Sequence, residues 1–434
     1  VILSSYSGGI YQLSLDNNEI TSINLHNYFA ELKIMNLYAD DNILWVGTRS
    51  SGLFKVNLTN KEIKQYSHDS HNPLSISANS VTDIIKDNRG SIWVSTFHQG
   101  INKLNKNGTF TRFIKNEKQP AKGPSSNHIL HSLEDKQGNI WLATYGGGLN
   151  RFNPETEEFL HITHNENNPN SISSNLAWFM LQDSQSNLWI GTQAAGLNIL
   201  SQKNINEGNF IFEHLDTKDG MKSRTVYAME EDLYGNIWFS SNKGVSRYST
   251  SQKNFKHFDL SHGLVDMEYS HGAVFLDMRK NLYFGAGKGL TSIDPEKIHN
   301  DQLAPDVRMT EIHKLNEVMS FDISLSELTT LTFDYSDQLI SFDYVGLNYS
   351  DPQSTRYKYR LLGFDDEWID AGKSRRATYT NLPQGSYQLQ IIAGNRDDVW
   401  SEPYQLEVIM KPAPWNTWWA YLLSVSYTHL TLPT

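Results

Sequence analysis

Residues 135–152 read DKQGNIWLATYGGGLNRF, and the fold is decided by how often that pattern returns. Variants stand at 40–56 (DDNILWVGTRSSGLFKV), 87–104 (DNRGSIWVSTFHQGINKL), 183–200 (DSQSNLWIGTQAAGLNIL), 232–248 (DLYGNIWFSSNKGVSRY) and 277–293 (DMRKNLYFGAGKGLTSI), the last with Tyr283 in the tryptophan's place. The aromatic positions 45, 93, 141, 189, 238 and 283 are 48, 48, 48, 49 and 45 residues apart, and a partial copy, ILSSYSGGIYQL, starts at Ile2. A fixed period of this length marks a repeat architecture, in which each unit buries its apolar face only against its neighbours. Each unit holds four short runs of period-two alternation, such as 80–85, the IWVST-type run, the GLNRF-type run and 110–114, separated by D-x-x-G and Gly-bearing turns. Four strands per unit repeated around a ring make a β-propeller, so the spacing predicts an all-β, seven-bladed propeller over 1–300.

Two recurrent residues read as structural. The turn aspartates Asp87, Asp135, Asp183, Asp232 and Asp277 suggest a cation loop only until the ligands are counted: one carboxylate per unit is too few. Aspartate at the head of a tight turn instead caps its own backbone, with Gly or Asn supplying the positive φ. The tryptophan of each second strand reads as packing between blades, each burying on the order of 200 Å².

A second register is not required by packing. Fourteen residues before the aromatic position stand Asn79, Asn127, Asn175 and Arg224, at the end of the connection from one blade's outer strand to the next blade's inner strand. Such connections line one face of a propeller around its axis, where loops on a rigid scaffold carry binding groups. Two readings stay open: the asparagines close turns, or they form a polar ligand surface in which Arg224, Glu268 and His128 break the repeat. The loop after the tryptophan strand opens on the same face and varies from blade to blade, which adds Arg49, His98 beside Phe97, Tyr145, Gln193 and Asn242 as candidate ligand-binding residues. The pairs His68/His71, His128/His131 and His161/His164 are spaced for a metal only on a helix. On strands or loops they read as surface or turn histidines, and no metal or cofactor site is read.

The 434 residues carry 37 Lys+Arg against 48 Asp+Glu and no cysteine. The net charge of −11 argues against a nucleic-acid partner, and the missing cysteine excludes disulfides, thiolate metal sites and thiol nucleophiles. Two facing carboxylates for glycoside hydrolysis do not stand out on the candidate face, where Asp266 and Glu268 share one connection and Glu31 lies elsewhere. No catalytic residue is assigned. A glycoside hydrolase or lyase, or a protein-docking scaffold, stays open as a reading of such a ring.

Past Ile298 the period stops, and from Leu328 short alternating runs separated by Gly, Pro, Asn and Asp turns predict roughly seven strands of an immunoglobulin-like sandwich over 301–412. Within it RYKYRLLGFDDEWIDAGKSRRATYTNLPQGSYQLQIIAGNRDDVW, residues 356–400, resembles the three-tyrosine YYY domain, with Tyr357/Tyr359, Tyr379 and Tyr387 as its tyrosines. The blade pattern resembles the two-component regulator propeller repeat. On their own chemistry Tyr357, Tyr359 and Tyr387 read as half-buried rings with wet hydroxyls. The resemblance implies the periplasmic sensor region of an inner-membrane signalling protein, whose output is a histidine kinase feeding a phosphorelay or a diguanylate cyclase. It further implies a homodimer and a small-molecule ligand, a carbohydrate or glycan fragment. The aromatic run PWNTWWAYLL, 414–423, reads as the head of a membrane helix over 413–424, too short to span a bilayer, which needs about 20 residues. VSYTHLTLPT, 425–434, resembles a translated sequencing adapter, and the Val at position 1 reads as a truncated start, with any first propeller lying upstream.

Overall fold

The computed structural model describes residues 1–422 apart from 18, 24, 299–302, 316, 350, 351, 398, 417 and 421. The adapter-like tail and the last two residues of the expected membrane helix lie outside them. The chain forms two compact units, Val1–Lys297 and Ile298–Thr434.

The first unit is built from seven antiparallel sheets in chain order, of 3, 4, 4, 4, 4, 4 and 3 strands. The fourth blade shows the plan: an inner strand Ile129–Glu134, then Ile140–Thr144, Gly148–Asn153 and an outer strand Glu158–Ile162, each paired with the one before. Among the described residues the first and last sheets show three strands each, the first beginning at the equivalent of the second strand. The ring closes through Arg279 in the seventh blade, which donates to the Leu15 carbonyl (2.7 Å) and pairs with Asp16 of the first.

Packing between blades follows the recurrent residues. Trp45, Trp93, Trp141, Trp189 and Trp238 are all buried. The turn aspartate does more than cap its backbone. Asp135 Oδ1 accepts from the amides of Gln137 and Asn139 (both 2.9 Å), while Oδ2 accepts from the Trp141 indole N–H at 2.7 Å. The same indole bond recurs at Asp87, Asp183 and Asp232 (2.8, 2.8 and 2.7 Å), and Tyr283 donates its hydroxyl to Asp277 at 3.0 Å. A buried indole thereby gains the acceptor it needs. Glycines 90, 138 and 235 hold the positive φ, but Ser186 (66°) and Lys280 (68°) take that place in two blades, and asparagine never does; Asn139, Asn187, Asn236 and Asn281 bond the carboxylate instead. A second buried set ties each third strand to the preceding connection: Asn102, Asn150 and Asn198 accept from the amides of Ser77, Ser125 and Ser173 at 2.7–2.8 Å.

Among the described residues the second unit has nine strands in two sheets rather than about seven. One runs Glu317–Val318, Asp306–Lys314, Leu339–Leu347, Arg376–Thr380; the other runs Thr330–Phe333, Tyr404–Met410, Gly385–Gly394, Arg356–Leu362, Ile369–Gly372. Thr330–Phe333 and Tyr404–Met410 pair in parallel, which the alternation did not reveal. The tyrosine reading holds for Tyr359, which is half-buried, and needs correction for Tyr357 and Tyr387, which are 1% and 7% exposed with bonded hydroxyls; Tyr379 is also buried, at 5%. Tyr357 accepts from the Gly346 amide (3.0 Å), Tyr379 donates to Asp365 (2.7 Å), and Tyr387 donates to the Pro383 carbonyl (2.9 Å), as in a tyrosine corner. Burial, then the Asp365 bond, raise the Tyr379 phenol well above its ordinary range. Beyond Lys411 a short 3-10 turn, Pro414–Asn416, leads to exposed Trp415, Trp418 and Trp419; no helix among the described residues is long and apolar enough to cross a membrane.

Candidate functional site

The connections and the loops after the tryptophan strands emerge on one face of the ring, because each is joined to the other by backbone bonds. The Gly52 amide donates to the Asn79 carbonyl (3.0 Å), Gly100 to Asn127 (2.9 Å), Gly148 to Asn175 (3.0 Å) and Gly196 to Arg224 (2.8 Å). At that register the asparagine side chains serve the turn: Asn79, Asn127 and Asn175 accept through Oδ1 from the amides of His68, Lys115 and His164 at 2.7–2.8 Å. Arg224 keeps only the backbone role and its side chain is exposed.

Of the remaining candidates, the structure brings three together. His98 and Tyr145, in the loops of the third and fourth blades, and His128, in the connection between them, surround Phe97. The ring centroids lie 4.9 Å (His98), 5.1 Å (His128) and 6.4 Å (Tyr145) from Phe97, with His98 and His128 5.6 Å apart. Tyr145 is 44% exposed and His98 is exposed, so this aromatic patch is open on the face. The others stand with partners of their own. Arg49 bonds the Tyr6 hydroxyl and stacks on its ring, Gln193 accepts at its carbonyl from the Thr225 hydroxyl, and Asn242 accepts from Ser223 (2.7 Å). Glu268 is exposed, and after burial its charge helps raise the Tyr227 phenol above its usual range.

Among the histidine pairs, His68 and His164 bond the carbonyls of Ile76 and Ile172, and His161 bonds that of Gly123, as turn residues do. His131 does not fit that reading. It belongs to a layer of inner-strand residues near the axis, with Asn36, Asp83, Trp178, Tyr227 and His271, which the sequence reading missed. The signal was available: these positions differ in every blade while their neighbours repeat.

In the second unit Glu311, His313 and Asp343 approach one another, His313 Nε2 lying 3.2 and 3.1 Å from the two carboxylates. Arg376 occupies the remaining side, pairing with Asp343 through two nitrogens and reaching His313 at 3.3 Å; its guanidinium holds the Asp343 carboxyl below the usual range. That cation makes the cluster an ion-pair network. It borders an open cavity of about 440 Å³ lined by Thr310, Asp343, Tyr344, Val345, Arg375 and Arg376.

The chain is a ring of repeats with an aromatic patch on one face, and a separate tyrosine-braced sandwich. The chain matches the two component regulator propeller family at 75–98 and 123–146, and the Y_Y_Y domain family at 348–411. It is 30% identical over 223 residues to histidine kinase P4 of Formosa agariphila, an alignment covering 49% of this chain and 16% of that protein. The extracellular domain of a putative hybrid two-component system from B. thetaiotaomicron aligns over 95% of this chain and 76% of its own, at 18% identity and TM-score 0.45. PorZ, a surface component of the type-IX secretion system of Porphyromonas gingivalis, aligns over 94% of this chain and 59% of its own, at 14% identity and TM-score 0.50, a likeness of fold.

Proposed function

We propose that this chain is the extracellular, periplasm-facing sensing region of a membrane-bound two-component signalling protein, working as a homodimer and taking a carbohydrate ligand on the open propeller face. The observation that carries the reading is the Phe97, His98, His128 and Tyr145 patch: exposed aromatic edges and imidazole nitrogens side by side suit the C–H faces and hydroxyls of a sugar ring. The propeller repeats and the Y_Y_Y domain support the signalling class. A ligand that bound both signalling states equally would switch nothing, so the face must bind one state more tightly.

The test is a thermal-shift and calorimetric screen of oligosaccharides against the chain, with product analysis by chromatography and with light scattering for mass. Saturable stabilisation without turnover, weakened about tenfold or more by Tyr145→Ala or His98→Ala, is expected. Turnover of the sugar, abolished by Glu268→Gln or Asp266→Asn, would replace the sensor with a glycoside-cleaving enzyme. A monomer at every concentration, with and without sugar, would remove the homodimer.

A further inference from the structure

The inner strands share a departure from regular pairing. In four of them two residues oppose one of the neighbouring strand, between Ile34 and Asn36, Val81 and Asp83, Ile129 and His131, and Ala177 and Phe179. Such bulges re-aim side chains and accompany functional sites more often than regular strand does. The seventh blade goes further: Tyr269 pairs with Ala286 and Val274 with Phe284, so five steps on one strand match two on the other. The surplus carries His271 inward. Its Nε2 lies 2.9 Å from the Trp178 carbonyl, in the fifth blade, and its ring meets the Trp178 indole edge-on at 5.5 Å. A contact between blades five and seven that passes over the sixth is made across the axis.

The layer that His271 reaches is not part of the repeat. Trp178 stacks on Tyr227 (5.4 Å, 21°), and His131 lies 4.0 Å from Phe179. On the other side Asp83 accepts from Asn36 Nδ2 (2.9 Å), from the Ser132 amide and hydroxyl (2.7 and 3.0 Å) and from the Ile84 amide (2.9 Å). Three buried polar atoms here have no partner: Asn36 Oδ1, His131 Nδ1 and Trp178 Nε1. Buried polar atoms left unpaired cost stability and are few in folded proteins, so three in one layer ask for something that satisfies them. His271 keeps accessible surface, while burial of its ring lowers its pKa.

We propose that this axial layer is a binding site for one ring of a neutral saccharide, held between the Trp178/Tyr227 stack, His131, His271 and Asn36. The inference rests on the carbohydrate-sensor reading and places a second subsite away from the face patch. Trp178 Nε1 can only donate and Asn36 Oδ1 can only accept, so the ligand must offer both roles at short range, which hydroxyls do. Charge selects against acidic sugars: the Asp83 carboxylate already has four donors and repels an acid. The aromatic walls suit the apolar faces of a pyranose.

The experiment titrates the chain with D-glucose, D-galactose, D-xylose, L-rhamnose and their disaccharides, with galacturonate and glucosamine as charged counterparts, and compares Trp178→Phe, His271→Ala and Tyr145→Ala. Trp178→Phe keeps an aromatic ring beside Tyr227 and removes the N–H with part of the indole; it should weaken neutral-sugar binding about tenfold in a chain that still unfolds cooperatively, and crystals of the parent soaked in the same sugar should show it beside Trp178. His271→Ala should also weaken binding. If Tyr145→Ala abolishes binding while Trp178→Phe and His271→Ala leave it intact, the sensor reading stands and the axial site falls. Water alone beside Trp178 in the soaked crystals overturns the axial site too. If no saccharide titrates the parent chain, both readings fall.

Discussion

Replacing Glu230 with glutamine should stabilise the propeller at neutral pH and leave it unchanged in mild acid. Glu230 sits on the inner strand Ala228–Glu231 of the sixth blade, opposite Trp238. Burial pushes its carboxyl from 4.5 up to about 7, against the opposing bond from the Glu231 amide (3.3 Å) and with a smaller upward push from the charge of Glu231. Because the folded pKa is raised, the folded state holds a proton that the unfolded state has released between pH 4.5 and 7, so stability falls as pH climbs through that window. Integrating the two titrations gives a loss of about 0.4 kcal/mol at pH 4.5, about 2 at pH 6 and about 3 at pH 7, levelling near 3.4 above pH 8. Glutamine mimics the protonated acid at every pH. Urea unfolding of parent and Glu230→Gln, followed by tryptophan fluorescence at pH 4.5, 6, 7 and 8, should therefore show a difference that grows along that curve in the variant's favour. A constant difference across the series, or a variant less stable at pH 8, would refute the burial argument.

Asp135→Ala leaves the amides of Gln137 and Asn139 and the Trp141 indole without their acceptor, so it should cost roughly 3 kcal/mol or more by urea unfolding. Trp141→Phe removes one bond while Asn139 still serves the carboxylate, but a slightly smaller ring fills the site; its cost should be about 1–2 kcal/mol and below that of Asp135→Ala. In the sandwich, Tyr379→Phe loses its bond to Asp365 and should cost about 1 kcal/mol, whereas Tyr344→Phe deletes a buried hydroxyl with no partner and should be neutral or stabilising in thermal melts. His131→Phe keeps the stack on Phe179 and removes an unpaired nitrogen, so its melting temperature should be equal or higher; a clear drop would show that His131 is satisfied in solution without a ligand.

What could be read from the sequence was what recurs. The 48-residue period, the turn aspartate and the buried tryptophan each appear in several copies, so a pattern that one copy would leave ambiguous is decided by the others. Even there the chemistry was half visible. That Asp135 caps its turn follows from turn geometry, but its bond to Trp141, six residues on, depends on a rotamer that no local rule fixes. The sandwich tyrosines were located but given the wrong surroundings, because alternation says which face a residue takes and not how deeply the opposite sheet covers it. Of the face residues, the loops were identifiable from their variation, whereas the grouping of His98, His128 and Tyr145 around Phe97 depends on the angle between two blades.

His131 marks the sharper failure. Three residues after His128 on an unbroken strand, it takes the opposite face, and the reading as a surface histidine follows. The bulge between Ile129 and His131 breaks that count, and a shift of one residue exchanges the two faces of a strand. The same slip at Asn36, Asp83 and Phe179 brings four chemically different residues to one register about the axis. A selection that kept only stability would have made this register as uniform as the turn aspartates, since apolar residues there would leave nothing unpaired. The turn aspartates and third-strand asparagines of the propeller have partners, whereas three of its unpaired buried polar atoms, on Asn36, His131 and Trp178, fall where the repeat is broken. In a ring of near-identical blades the scaffold is therefore read from what the copies share, and the search for a ligand belongs where one copy disagrees and its polar atoms are left unmet.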